Sequence, residues 1–101
     1  MVDNNIVKTK IKALSKSYHF NFSNVKYQVF ENHILSFLER YHRQEELQFE
    51  LTTDLYSQIN INYINQAEDY LKALLKELGE INQTPINSKE VFLVATHFAN
   101  C

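Results

Sequence analysis

The sequence predicts an all-α fold, a compact five-helix bundle. Three observations carry this. The 101 residues include one glycine and one proline, so tight hairpins and strand-rich sandwiches lack their usual punctuation. Apolar residues recur at helical spacing through most of the chain. The one segment with strand-like residues, Asn60 to Asn65, has no partner strand elsewhere. The length suits a single domain over residues 1–101 with one core. Hydrophobic residues at 45% and charged residues at 22% fit a folded domain and not a disordered tail.

The first helix is predicted from about Asn4 to Ser17. Asp3 is its candidate N-cap, and Val7, Ile11, Leu14 and Tyr18 share a face. Residues 19–23 read as a connection. Ser23 or Asn24 then caps a long helix reaching about Glu46, with the stripe Tyr27, Phe30, Ile34, Phe37, Leu38 and Tyr41. A third helix is expected over about Leu47 to Ile59. Leu51, Leu55, Tyr56 and Ile59 share a face there, although Thr52 and Thr53 are weak helix formers.

Asn60 to Asn65 interrupts the pattern. The fourth helix follows on Ile64, Ala67, Leu71, Leu74, Leu75 and Leu78, and Gly79 stands where a left-handed capping glycine belongs. After a loop holding Pro85, Asn87 or Ser88 caps the fifth helix. Glu90 is placed as the acidic member of a capping box. The stretch VFLVATHFAN is apolar almost all round, so this helix is expected at the centre of the core, carrying a histidine with it.

Composition excludes several function classes. One glycine cannot supply a P-loop, a GxGxxG turn or a GxSxG nucleophile elbow. The single cysteine, Cys101, allows no intrachain disulfide and no cysteine-based zinc site. No constellation supports an enzyme, so none is expected. The net charge of −2 and pI near 6.0 argue against bulk attraction to nucleic acid. Lys8, Lys10, Lys12 and Lys16 read as the wet side of a helix; a small nucleic-acid-binding protein using them is a rival reading. The first residues have no apolar signal core, and the longest apolar run, Val91 to Ala95, falls far short of the roughly 20 residues that span a bilayer. No membrane insertion is expected, the sequons at Asn21 and Asn82 carry no weight, and the expected compartment is the cytoplasm.

The four histidines are His19, His33, His42 and His97. Glu39 and His42 form one E-x-x-H, but di-iron bundles need that motif twice with two further glutamates, so neither a metal nor another cofactor is expected. His33 lies at the edge of the second helix's stripe with Arg40 seven residues on, along the same face. Neutral imidazole is a nucleophile and arginine takes phosphate oxygens in two-point fashion. On spacing alone, a boundary histidine bonded to backbone is the better account. His97 has Glu90 seven residues before it, placed to fix its tautomer. On spacing alone a satisfied core histidine is again favoured.

At these two histidines the chain resembles the PTS regulation domain (PRD) of bacterial antiterminators and transcriptional activators. The first matching stretch is FENHILSFLER, Phe30 to Arg40, and the second runs from Asn65 to Asn100, NQAEDYLKALLKELGEINQTPINSKEVFLVATHFAN. Together they cover about half of the chain, in the family's order and spacing. Asn32 stands where the family frequently has Asp, and the chain has room for one such domain only.

The resemblance implies a five-helix all-α bundle that forms a homodimer, regulated by phosphorylation of His33 and His97. Arg40 and Glu90 would support them, and phospho-HPr or a phosphorylated EIIB would be the donor. It implies a regulatory role tied to the phosphoenolpyruvate sugar phosphotransferase system. With room for one such domain only, it does not imply direct nucleic-acid binding, none is expected, and the state of the domain is expected to pass to a partner protein. The rival within the same fold is a helical adaptor that works by binding alone.

Overall fold

The computed structural model describes residues 4–18, 23–45, 47–79 and 85–100. Among them five helices and no strand are found: α1 (Asn4–Ser17), α2 (Asn24–Arg43), α3 (Thr53–Ser57), α4 (Ile61–Glu77) and α5 (Ser88–Ala99). The all-α five-helix architecture is therefore as the sequence predicts. The candidate cap Asp3, His19, Glu46, the loop residues 80–84 and Cys101 lie outside the described residues.

Local signals set most helix ends. Ser23 caps α2, its hydroxyl accepting from the Lys26 N–H. The helix stops at Gln44, which turns left-handed at φ 57° and gives its N–H to the last-turn carbonyls; the Glu45 N–H then bonds the Arg40 carbonyl at 2.9 Å. This closes α2 three residues before the expected Glu46. Gly79 takes φ 75° beyond α4, the left-handed position expected of it.

Two expectations are corrected. The third helix spans only Thr53–Ser57, because Thr52 accepts from the Leu55 N–H and so starts a helix where the apolar pattern alone would continue one. The preceding stretch is held against α5: Lys89 Nζ donates to the Leu47 carbonyl and lies 5.9 Å from the centre of the Phe49 ring. Asn60 to Asn65 is not an interruption. Asn60 caps α4 through its side chain, and the helix begins at Ile61.

The expected stripes form one core. Val7 and Ile11 from α1, Phe30, Ile34 and Phe37 from α2, Ile64, Ala67, Leu71 and Leu74 from α4, and Val94, Ala95 and Phe98 from α5 are all buried. Helix α5 packs most extensively on α4 and also against α2; six of its residues are buried, as its all-round apolar sequence predicts. Phe30 lies at the junction, its ring 5.6 Å from Tyr70, 5.6 Å from Phe98 and 5.7 Å from His97. One polar knot ties α1 to α4: Ser15 Oγ and Tyr70 Oη stand 3.0 Å apart, and both reach the Ile11 carbonyl. No helix among the described residues is long and apolar enough to cross a membrane.

Candidate functional site

The site lies along the seam between α2 and α5. Both helices turn their apolar faces to the core, so residues at the margins of those faces meet at the seam. His33 sits at the margin of α2 and His97 at that of α5. They are 64 residues apart in sequence, yet His97 Nε2 is 3.4 Å from His33 Nδ1, with the rings nearly perpendicular and their centres 5.0 Å apart. One ring therefore donates to the other, and a neutral pair with one proton on each ring satisfies the contact.

Burial sets the charge of this pair. His33 is pulled down to about 4, first by desolvation, then by the neighbouring His97; Glu90 raises it and Arg40 lowers it further. Burial also lowers His97. Both rings thus stay neutral at pH 7, the form in which an imidazole nitrogen is nucleophilic. His33 Nε2 is buried and has no hydrogen-bond partner among the described residues.

Two turns along the seam, Arg40 meets Glu90. Arg40 Nε donates to Glu90 Oε2 at 2.7 Å and Nη2 donates to Oε1 at 2.9 Å. This two-point geometry gives the strongest kind of charge-assisted hydrogen bond. It raises Arg40, through the hydrogen bonds to Glu90. The capping-box expectation for Glu90 is corrected here. Its carboxylate turns across the seam to Arg40, and Asn87 caps α5 with its own side chain, accepting from the Lys89 N–H.

All four sequence-predicted residues thus share one seam, in pairings that their spacing does not suggest. Spacing sets Arg40 with His33 and Glu90 with His97, each along its own helix. The structure pairs histidine with histidine and arginine with glutamate, across helices. His42 is exposed on α2, and among the described residues no group of three or more His, Cys, Asp or Glu side chains is placed to hold a metal. Lys10 pairs with Glu77 at 3.6 Å, and Lys8, Lys12 and Lys16 lie on the exposed side of α1.

One site residue escapes the sequence reading. Lys26 Nζ donates to the Asn100 carbonyl at 2.6 Å, placing a cation at the end of α5 close to His97. Its signal is the seven-residue step: Lys26, His33 and Arg40 recur at two-turn intervals on one face of α2. Two clefts open on the seam. One, of about 190 Å³, is lined by Val25, Lys26, Val29, Thr96, His97 and Asn100. The other, of about 330 Å³, lies beside the Arg40–Glu90 pair and includes Phe37, Tyr41, Gln44 and Ile86. No family model matches the chain, and comparison with curated proteins and with solved structures gives no significant match.

Proposed function

We propose that this chain is a phosphorylation-responsive regulatory domain linked to the phosphoenolpyruvate sugar phosphotransferase system, acting in transcriptional regulation through a partner protein. The observation that carries the reading is the His33–His97 couple, two neutral imidazoles from the two stretches that resemble a PRD, held 3.4 Å apart on facing helices. A purely structural pair of half-buried histidines gains little there, since the buried His33 Nε2 has no partner among the described residues to offset its burial. The all-α five-helix bundle is the architecture the resemblance implies.

The switch follows from charge. A phosphoryl group adds nearly two negative charges and three acceptor oxygens to a seam that now holds a neutral pair and a self-neutralised ion pair. That charge either repels an opposing surface or draws a cation to it. A shift of about 1.4 kcal/mol in an association or packing equilibrium changes it tenfold. Self-association as a homodimer, sensitive to this charge, is part of the proposal.

The test is reconstituted phosphotransfer. The purified chain is mixed with Enzyme I, HPr and phosphoenolpyruvate, with and without EIIB proteins, and acid-labile phosphate is read by intact mass. Association is followed by light scattering before and after. Label lost in His33→Ala or His97→Ala, with a change in association, supports the proposal. Absence of label from every donor defeats it and leaves the adaptor reading, in which the domain works by binding alone.

A further inference from the structure

Resting on the reading that the paired histidines accept phosphoryl groups, we infer that the group enters at Nδ1 of His97, with His33 as the residue that positions that ring and Lys26 as the cation that receives the phosphate. The four imidazole nitrogens of the couple are not equivalent. His33 Nε2 is buried. His33 Nδ1 and His97 Nε2 face each other and block one another's approach. That leaves His97 Nδ1, which holds no hydrogen bond to a described residue. His97 lines the open 190 Å³ cleft, whose rim carries the exposed Val25 and Val29, 72% and 54% accessible.

The assignment requires one particular arrangement of the ring protons. Nucleophilic attack needs a lone pair on His97 Nδ1, and the 3.4 Å contact accommodates the tautomer that provides it, with the ring proton on His97 Nε2 facing His33 Nδ1 as acceptor. His33 thereby fixes the reactive tautomer. In transfer from a phosphohistidine donor, the Nδ1 lone pair forms the new N–P bond. The donor's N–P bond breaks, with its electron pair staying on the donor nitrogen. The donor ring takes up one proton, and phosphorylated His97 gives up the one on Nε2, so charge and atoms balance.

Lys26 answers an electrostatic problem. His97 lies in the last turn of α5, where the helix dipole favours cations and disfavours a dianion. Lys26 Nζ already stands at that end, on the Asn100 carbonyl, and lines the same cleft as His97. A phosphoryl group on His97 offers it a stronger acceptor than a carbonyl. Modification then exchanges a tether between α2 and the end of α5 for a lysine–phosphate pair.

The experiment uses phosphoramidate, a small phosphoryl donor that needs no protein docking. The folded chain is treated, the label is located by mass spectrometry, and the nitrogen isomer is read by NMR. We expect His97 to label about tenfold faster than His33, as the Nδ1 isomer, with the difference lost in denaturant. Equal labelling, a faster His33, the Nε2 isomer at His97, or a folded chain that resists while the denatured chain labels would each overturn the assignment.

The two proposals fail separately. If phosphotransferase donors give no label but phosphoramidate selects His97, the functional reading falls and the acceptor assignment stands. If those donors label His33 in the folded chain, the reverse holds. His33→Phe should slow His97 labelling about tenfold, and His33→Asn, which keeps an acceptor near the Nδ1 position, should restore it. A wild-type rate in His33→Phe removes the positioning role. Lys26→Gln should shorten the lifetime of the phosphorylated state severalfold; an unchanged lifetime removes the lysine from the proposal.

Discussion

Arg40 and Glu90 close the α2–α5 seam with a two-point ion pair whose carboxylate side is only 5% exposed and whose guanidinium side is 22% exposed. Removing one partner strands the other's charge. Glu90→Ala is expected to cost about 3–5 kcal/mol, and Glu90→Gln less, because its amide oxygen still accepts. Replacing both, as Arg40→Met with Glu90→Leu, should cost less than Glu90→Ala alone. Urea unfolding of the three variants at neutral pH checks this; an unchanged midpoint in Glu90→Ala would mean the pair contributes nothing to the seam.

Acid should loosen the histidine couple. His33 is held down near 4 by burial, against an ordinary value of 6.5. Between those values the unfolded chain binds the proton and the folded chain does not. The His33 contribution is therefore fully present above about pH 6.5 and is lost as pH falls toward 4. The thermal midpoint followed by circular dichroism from pH 7 to pH 4.5 should fall, and fall less in His33→Asn. Identical slopes in the two proteins would contradict this account.

The Tyr70 hydroxyl should matter modestly. It shares the Ile11 carbonyl with Ser15, at 3.1 and 2.8 Å. In Tyr70→Phe the carbonyl keeps its bond from Ser15, so no buried acceptor is orphaned. The expected loss is about 1 kcal/mol. Phe30→Ala removes the ring shared by Tyr70, Phe98 and His97, and should cost about 3–5 kcal/mol. Chemical denaturation ranks the two, and a larger loss in Tyr70→Phe would reverse the assignment of what holds α1, α2 and α4 together.

The two left-handed residues among those described should respond in opposite directions. Gly79 has φ 75° and nothing within 4 Å of an added Cβ. Gly79→Ala therefore carries only the backbone cost, about 1–2 kcal/mol. Gln44 holds φ 57° with a side chain in place, so Gln44→Gly should stabilise by up to about 1 kcal/mol. Thermal midpoints that move the same way in both variants would contradict the argument.

Much of this fold is legible in the sequence because its stripes are strong and its caps local. Asn87 and Gly79 mark their helix ends with chemistry that acts within a few residues. The third helix misleads because Leu51, Leu55, Tyr56 and Ile59 do lie partly buried against the core, while Thr52 resets the backbone between the first of them and the rest. Apolar spacing reports burial, and here only part of that buried stretch is helical. The site divides similarly. His33 and His97 stand out by resemblance, but spacing favoured inert roles, because a contact over 64 residues leaves no trace in local periodicity. Arg40 and Glu90 could be placed on a face of their own helix, not opposite each other.

Along the seam, His33 meets His97 and Arg40 meets Glu90, so the two helices run antiparallel and the two couples stand seven positions apart on each. Seven residues make almost two full turns, and one residue is worth about 100° of rotation. Insertion or deletion of a single residue between positions 33 and 40 swings one couple out of the seam, unless α5 changes by the same amount between positions 90 and 97. The two stretches are thus locked to a common length. Drift in chain length among descendants of this sequence is confined to places outside the seam, such as the connection 47–52, where a changed count alters reach and leaves phase untouched.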